Sequence, residues 1–316
     1  MKSKLLLGAA VVAASMTAVA AERVGDFSLL DQDGYHHSMS WYDDHKTIAL
    51  FVQSNDSVAS AAAAGDFAAL KAKYEDAGVE FFMINPMGKK NRAEVKAKLA
   101  EYGVDMPVLM DDARMISEEL GIVRTGEVLL YSPRAFTVDY RGSVAGAEAA
   151  IGEILAGEAV SVALAATDGS LVSYEHMAAV PSYSQDVAPV LAENCAACHR
   201  EGGIAPFAMD SYTMVKGWSP MIREVLMTKR MPPGQIDGHI GEFLNDMLVD
   251  DADVRNIIAW VEAGAPKDDG NDPLTELVWP ETKWAFGEPD YIIKVPAQSV
   301  PATGVLDYRD VAVPID

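Results

Sequence analysis

Five consecutive residues, Cys195-Ala196-Ala197-Cys198-His199, constrain this chain more than any other feature. Two thiols spaced C-x-x-C with a histidine directly after them are the attachment pattern of a c-type haem. Cysteines one helical turn apart present both sulfurs to one porphyrin edge. The side chain of the histidine that follows can then reach the iron. The pattern therefore predicts one covalently bound haem c, with thioether bonds from Cys195 and Cys198 and with His199 as the proximal axial ligand.

Two other interpretations of the cysteine pair are weaker. A thioredoxin-like redox pair does not need the histidine that follows it. A structural zinc site needs two further ligands, usually a second cysteine pair, and the chain has two cysteines in all. The haem interpretation is therefore favoured.

Residues 1–21 have the pattern of a secretory signal peptide. Lys2 and Lys4 precede an apolar run over residues 5–14, and residues 18–21 are small enough for cleavage. The run is too short for a spanning helix, although an uncleaved membrane anchor remains the alternative. We therefore expect a periplasmic or secreted bacterial protein with no membrane span after cleavage, which suits a c-type haem because its attachment occurs outside the bacterial cytoplasm.

The chain is strongly acidic, with 47 Asp and Glu against 25 Lys and Arg, a formal net charge of −22 at pH 7. Nucleic acids and anionic lipids demand basic patches, so we expect neither as a partner. The charge suits steering toward a redox partner protein with a basic docking surface, but solubility or a saline habitat explains it equally well.

Residues 22–156 alternate apolar runs with amphipathic segments. Buried strands are predicted at 47–53 and 79–85, helices at 57–76 and 92–102, and a hairpin over 127–141. A closing helix follows over residues 145–155. Strands that alternate with helices in this way predict an α/β layer fold.

This order, with the opening residues Arg23-Val-Gly-Asp-Phe-Ser-Leu-Leu-Asp-Gln-Asp-Gly34, resembles the thioredoxin-like redoxin family over residues 24–156. In that family a reactive cysteine lies at the turn after the first central strand, and a cis-proline faces it. Here the turn is Ser54-Asn-Asp-Ser-Val-Ala59, and the loop Arg124-Thr-Gly-Glu127 has glycine at the expected proline position. We therefore expect a scaffold or docking domain without thiol chemistry.

Three histidines in this half, His36, His37 and His45, raise the question of a metal cluster. Adjacent histidines on a strand point to opposite faces, and no carboxylate–histidine spacing supports a site. We expect all three to be surface residues.

The second half is predicted to contain a linker over residues 157–183, with a strand near Val160–Ala165, and an all-α class I cytochrome c domain over residues 184–270. Asp186 is predicted to cap a short helix that leads into Cys195. An apolar last helix begins near Asp250 and ends at Gly264.

A low-spin electron carrier needs a second axial ligand, and the soft thioether of methionine is usual. Met231 is favoured because the prolines that follow it hold an extended loop, and Met231-Pro232-Pro233 resembles the distal loop of class I cytochromes c. His239 is the main rival and His176 a distant third. The other methionines of this domain are expected in the core or against the haem: Met209, Met214, Met221, Met227 and Met247.

Four stretches together resemble the haem module of bacterial redoxin–cytochrome c fusions. They are Asp186-Val-Ala-Pro-Val-Leu191, Cys195-Ala-Ala-Cys-His-Arg-Glu-Gly-Gly-Ile-Ala-Pro-Phe207, Lys229-Arg-Met-Pro-Pro233 and Trp260-Val-Glu-Ala-Gly-Ala-Pro266. The resemblance implies that the Pro206 carbonyl accepts a hydrogen bond from the free ring nitrogen of His199.

In that family the haem module often precedes a copper type II, ascorbate-dependent monooxygenase-like domain. Residues 271–316 resemble the start of such a β domain, with Tyr291–Val295 as the clearest strand. No histidine follows His239, so the copper ligands are missing. Either the chain is a fragment of a longer protein or the tail is a short β extension.

Two functional classes remain at this point. The first is an exported monohaem cytochrome that transfers single electrons, carried by a redox-inactive thioredoxin-like scaffold. The second is an enzyme, either a haem peroxidase with an open distal site or the electron-input part of a copper monooxygenase. A peroxidase needs a distal acid–base group, for which His239 is the obvious candidate, whereas Met231 argues against an open sixth position. We expect an electron carrier rather than an enzyme.

Overall fold

The computed structural model of the chain describes residues 22–87, 92–174, 177, 179–279, 284, 287–301, 304 and 307–314. The chain divides into two compact units, one ending at Thr275 and the other beginning at Glu276. The expected signal peptide lies outside the described residues. None of the described helices is long and apolar enough to cross a bilayer.

A six-stranded sheet forms the centre of the first domain, in the order β1-β8-β7-β4-β5-β6. The three strands β4, β5 and β6 are parallel to one another, and β7, β8 and β1 run antiparallel to their neighbours. Two short strands, β2 and β3, pair separately as a hairpin. The strands are β1 (Glu22–Arg23), β2 (Ser28–Leu30), β3 (His36–Ser38), β4 (Thr47–Val52), β5 (Val79–Asn85), β6 (Val108–Met110), β7 (Val128–Ser132) and β8 (Thr137–Gly142).

Both faces of this sheet are covered, which explains why its central strands are continuous apolar runs. In β4, Ala49 and Phe51 belong to the core on one face, while Leu50 belongs to the core on the other. The helices of this domain are α1 (Val58–Tyr74), α2 (Arg92–Tyr102), α3 (Met115–Glu119) and α4 (Val144–Ala156). The structure therefore has the strands, helices and hairpin that the sequence predicts here, with shifts of one to a few residues at their ends.

His37 corrects the expectation that all three histidines lie on the surface. Its Nε2 is 2.9 Å from Asp31 Oδ2 and its Nδ1 is 2.8 Å from the Tyr42 hydroxyl. Its ring packs edge-on against Phe82 at 5.0 Å. The alternation along β3 turns this side chain toward the sheet and leaves His36 exposed.

The predicted linker forms backbone hydrogen bonds with the first domain. The Arg141 N–H donates to the Ala163 carbonyl at 2.9 Å, and the Ala165 N–H returns a bond to Arg141 at 2.9 Å. Further along, the Thr125 N–H donates to the Ser170 carbonyl at 2.9 Å. These bonds hold the segment along the edge of the first domain.

Helices and turns form the second part of the larger unit. A π-helical turn over Tyr183–Val187 leads into α5 (Ala188–Asn194), followed by α6 (Tyr212–Met227) and α7 (Asp251–Glu262). The Tyr183 ring lies 5.6 Å from Trp260, which is fully buried and donates its Nε1–H to the Pro266 carbonyl at 2.8 Å. This contact packs the entry turn against the last helix.

The cap of the entry turn differs from the prediction. The Ser182 hydroxyl caps it by accepting the Gln185 N–H at 3.2 Å. Asp186 instead accepts the Ser182 backbone N–H at 2.7 Å. The assignment of Asp186 as the cap is wrong because the turn begins before that residue.

The two parts of the larger unit share a core. Met227 from α6 and Ile258 from α7 belong to the core on the sheet face that contains Leu50 and Phe82. Around this contact, Arg255 donates to Glu118 at 2.6 Å, and Arg223 is paired with Glu119. The second part thus packs on α3 through apolar contacts flanked by Arg–Glu contacts.

The smaller unit corrects the expected β tail. Residues 287–301 include no strand in the structure, and Tyr291–Val295 therefore does not form the strand that its composition predicts. A strand needs a partner whose N–H and C=O groups complete the ladder, and the described part of the tail does not supply one.

Candidate functional site

Cys195, Cys198 and His199 lie on a hydrogen-bonded turn that directly follows α5, which ends at Asn194. The Cys195 N–H donates to the Leu191 carbonyl at 3.0 Å, and the His199 N–H donates to the Cys195 carbonyl at 3.0 Å. Both bonds have the i to i−4 spacing of an α-helix. One hydrogen-bonded turn therefore carries both thiols and the imidazole.

The loop after His199 folds back onto this turn. The Ala205 N–H donates to the Cys198 carbonyl at 3.1 Å, and the Met209 N–H donates to the His199 carbonyl at 2.8 Å. A Cβ on Gly203 would lie 2.3 Å from the Cys198 carbonyl oxygen. Glycine at position 203 is what allows the loop to approach the turn so closely.

The His199 ring is held by a backbone carbonyl, but not the expected one. The side chain is largely buried, with 9% of its surface exposed, and its Nδ1 lies 3.2 Å from the Phe207 carbonyl oxygen. The assignment of this bond to Pro206 is wrong, because the Met209–His199 bond sets residue 207 beside the ring. An imidazole that carries its proton on Nδ1 donates this bond and keeps the lone pair on Nε2 for a metal.

Two aromatic rings extend from His199, and the sequence interpretation missed both. The Phe207 ring centroid is 4.5 Å from that of His199, and the same ring stacks on Trp218 at 4.4 Å. Trp218 belongs to α6, a helix that was not predicted. Its apolar residues at helical spacing were the available signal, obscured by Gly217 and Pro220 within the helix.

The interior proline of α6 is accommodated by a neighbouring hydroxyl. Pro220 has no N–H to donate to the Lys216 carbonyl four residues earlier. The Ser219 hydroxyl donates to that carbonyl at 2.9 Å instead. The Lys216 carbonyl therefore has a hydrogen-bond donor although the proline supplies none.

One face of α6 is apolar and exposed. Its buried face contains Val215 and Ile222, whereas Met214, Trp218 and Met221 recur at i, i+4 and i+7 and are 37–43% exposed. A surface helix ordinarily has polar residues on its exposed face. An exposed apolar stripe beside a cluster of ligand-type side chains is typical of a ligand-binding surface.

Met231 lies just beyond the C-terminal end of this helix. Its N–H donates to the Val225 carbonyl at 3.2 Å, its peptide bond to Pro232 is cis, and 39% of its surface is exposed. Met227 is buried in the shared core, and Met209 is buried beside the loop. Because they are buried in the protein core, Met209 and Met227 are weaker candidates for an axial ligand than Met231.

His239 is engaged at both ring nitrogens. Its Nδ1 is 3.0 Å from Asp237 and its Nε2 is 3.2 Å from Asp112. A metal bond would require one of these contacts to break, so the structure disfavours His239 as a ligand. The third candidate, His176, lies outside the described residues.

The Cys195 thiol lacks the lowered pKa that redox-active cysteines have. Burial, with a smaller contribution from Cys198, raises the pKa of the Cys195 thiol to about 11. Thiol–disulfide exchange requires a thiolate, which redox-active pairs obtain by lowering this pKa. The described residues include no group of three His, Cys, Asp or Glu side chains arranged to hold a metal ion.

The turn and loop of the first domain that were expected to face each other are in contact. The Ser57 hydroxyl lies 2.7 Å from the Thr125 hydroxyl and also caps α1 by accepting the Ser60 N–H at 3.1 Å. The linker covers this pair, because the Ser170 N–H donates to the Thr125 hydroxyl at 3.1 Å. Buried hydroxyls thus lie in the turn where the family has its cysteine.

Comparison with known proteins identifies a family for the first domain. Residues 20–147 match the AhpC/TSA family. This part of the chain is a thioredoxin-like redoxin domain. No curated protein matches the chain.

Three of the solved structures that resemble the chain cover between 43% and 51% of it. A hypothetical protein from Sinorhizobium meliloti is 20% identical, with 51% of this chain and 97% of that one covered and a TM-score of 0.44. A putative thiol:disulfide interchange protein DsbE from Chlorobium tepidum is 16% identical over 43% and 96%, with a TM-score of 0.38. The peroxidoxin BcpB from Mycobacterium tuberculosis is 19% identical over 43% and 93%, with a TM-score of 0.35.

Proposed function

We propose that residues 184–270 form a cytochrome c domain that binds one haem c covalently, and that the exported protein transfers single electrons. Cys195 and Cys198 form the two thioether bonds, and His199 is the proximal ligand of the iron. The observation that carries the proposal is the hydrogen-bonded turn that presents all three side chains. The bound haem supplies an iron couple that is oxidised and reduced by one electron.

The surrounding residues fit such a group. The Phe207 carbonyl orients the His199 imidazole and raises its basicity toward a metal. Met214, Trp218 and Met221 offer an apolar surface of the kind that a porphyrin face covers. The donor set and the apolar stripe thus support haem rather than a hydrated metal ion.

Met231 is the sixth ligand in this proposal. A thioether favours ferrous iron and raises the reduction potential, which suits an electron carrier. Met214, Met221 and Met247 are exposed to a similar extent, so Met231 is preferred on its Met-Pro-Pro sequence. The peroxidase alternative is less well supported, because its candidate acid–base group, His239, is engaged by two carboxylates.

The redoxin domain acts as a scaffold for this electron carrier. Its buried Ser57–Thr125 pair offers no thiolate for attack on a peroxide or a disulfide. A redox partner with a basic docking surface would complement the net charge of −22, which solubility or a saline habitat explains equally well. A copper monooxygenase-like domain as the electron acceptor rests on the family resemblance alone.

Covalent attachment is tested on protein produced in a periplasm that matures c-type cytochromes. We expect denatured wild-type protein to retain the mass of one haem. Cys195→Ser and Cys198→Ser should each leave one thioether, which shifts the pyridine haemochrome band to the red, and the double variant should lose the covalent haem. Ala197→Ser is the matched control, because it adds a hydroxyl on the same turn at an exposed position. Wild-type protein with the mass of the polypeptide alone would contradict the proposal.

A further inference from the structure

The loop that follows Met231, residues 233–248, has few apolar contacts with the rest of the protein. The structure describes every residue of this 233–248 loop, and none of them is buried. A segment with few buried apolar contacts has low local stability, so the loop depends on polar contacts to keep its position. Five large apolar side chains of the loop are at least 38% exposed: Ile240, Phe243, Leu244, Met247 and Leu248.

Hydrogen bonds join the ends of the loop to each other and to the segment that contains Met231. The Asp246 carboxylate accepts the N–H groups of Ile236 and Leu248, each at 3.0 Å. The Gln235 amide donates at 3.0 Å to the carbonyl of the residue after Met231. The position of Met231 therefore depends on the position of the loop.

Asp237, near the start of the loop, is held by the redoxin domain. Arg92 of α2 donates through NH1 to Asp237 Oδ2 at 2.6 Å, and the two side chains are 14% and 11% exposed. A hydrogen bond between charged groups is strong, and shielding from water protects it from screening by salt. A second contact joins Asp112 Oδ2 to His239 Nε2 at 3.2 Å. The redoxin domain thus contacts the loop at two nearby positions.

The turn between β2 and β3 encloses the Arg92–Asp237 pair. Gly34 lies in this turn with a φ of +90°. A Cβ on Gly34 would be 3.2 Å from Arg92 NH1 and 3.5 Å from Asp237 Oδ2. Helix α2, this turn and the 233–248 loop therefore meet at the pair, which explains its low exposure.

We propose that Arg92 is a positioning residue for the sixth ligand of the haem iron. Through Asp237 it holds the 233–248 loop, and the loop keeps the Met231 thioether at the sixth position. A ligand is placed accurately only when the residues that support it are themselves fixed. The redoxin domain thereby acts on the haem site through a contact that needs no cysteine. This inference rests on the proposed haem binding and on Met231 as the sixth ligand.

The test compares Arg92→Ala with wild type in the matured full chain. We expect the variant to keep its covalent haem and its far-UV circular dichroism spectrum. Its ferric far-red sulfur-to-iron band should weaken, and its ferrous form should bind carbon monoxide. Arg92→Lys should restore the band, because a lysine ammonium can still pair with Asp237. Lys96→Gln is the matched control with wild-type spectra expected, since Lys96 lies on the same helix and pairs with Asp33 at the surface.

Chymotrypsin cleavage after Phe243 measures the loop directly, with or without haem. Phe243 is 48% exposed, and cleavage follows the population of the open loop when opening is fast. Arg92→Ala should raise the cleavage rate of the full chain about tenfold, because it removes a hydrogen bond between charged groups. Lys96→Gln should leave the rate unchanged.

Asp237→Asn is the second variant and keeps the test decisive if Arg92→Ala does not fold. Its amide oxygen can still accept the His239 N–H, but the charge that faces Arg92 is gone. A far-red band that is unchanged in both folded variants, or weakened equally in Lys96→Gln, would overturn this inference alone. A wild type without the band would overturn the Met231 assignment, and this inference with it.

Discussion

Met227→Ala tests whether helices α6 and α7 are held on the redoxin domain by a shared core. Met227 ends α6, is 4% exposed, and packs with Ile258 among side chains of the redoxin sheet. Its thioether therefore contributes to the contact between domains as well as to its own helix. Removing it should weaken the folded state of the whole larger unit.

The expected loss follows from the burial of that side chain. Truncation to alanine removes three heavy atoms, and at about 0.8 kcal/mol for each group of methylene size the lost transfer free energy is about 2.4 kcal/mol. A residual cavity adds up to about 1.5 kcal/mol if the neighbours do not collapse into it. The free energy of unfolding should thus fall by about 2.5–4 kcal/mol.

Urea unfolding of the full chain without haem, followed by far-UV circular dichroism and by tryptophan fluorescence, measures this change. Met221→Ala is the matched control, because Met221 lies on the exposed face of the same helix. It should change the free energy of unfolding by less than about 0.5 kcal/mol. Equal losses for the two variants would refute the reasoning that the buried end of α6 docks the domains.

Three further changes have expected outcomes. Ser57→Ala removes the cap of α1 and the bond to Thr125, so it should lower the free energy of unfolding by about 1–2 kcal/mol in urea; an unchanged midpoint would contradict this. Gly203→Ala places a Cβ 2.3 Å from a carbonyl oxygen and should lower the melting temperature by several degrees, unlike Gly152→Ala in α4, where space is open. Burial and a hydrogen bond with Glu262 raise the pKa of Glu119 to about 8. Its folded pKa thus lies above the unfolded value, so the free energy of unfolding should fall as the pH rises from about 4.5 to 8. Glu119→Gln should remove this pH dependence, measured by urea unfolding at each pH. The same pH dependence in the variant and the wild type would contradict this.

The redoxin domain could be predicted from sequence because its elements are strongly patterned. Thr47–Val52 is buried at every position, and an apolar run of this length bounded by turn residues has few other interpretations. A short 3-10 turn over Glu75–Ala77 follows α1 and ends at Gly78, whose φ of +92° is favourable for glycine. Local signals and the global fold agree in this half of the chain.

Other features depend on contacts that no local pattern encodes. Helix α6 was not predicted; it contains Gly217 and Pro220, and the Ser219 hydroxyl that compensates for the proline is visible only in the structure. The burial of His37 depends on the sheet beneath β3. The opposite error occurred at Tyr291–Val295, where β-forming residues lack a partner strand among the described residues.

One part of the candidate site could be predicted from the sequence and another part could not. The CxxCH turn could be predicted because its chemistry is contained in five consecutive residues. The hydrogen-bond partner of His199 could not, because whether the carbonyl of Pro206 or Phe207 faces the ring depends on how the loop closes onto the turn. A resemblance predicts that such a bond exists more reliably than it predicts which residue makes it.

The central claim, a haem c carrier with His199 and Met231 as axial ligands, is tested most directly by absorption spectra of the matured protein. Ferric and ferrous spectra are compared for wild type, Met231→Ala and Met214→Ala, each with and without carbon monoxide. The account predicts a far-red sulfur-to-iron band in the ferric wild type that is lost only in Met231→Ala, and no carbon monoxide binding by the wild type. A high-spin ferric spectrum or ready carbon monoxide binding by the wild-type protein would contradict it.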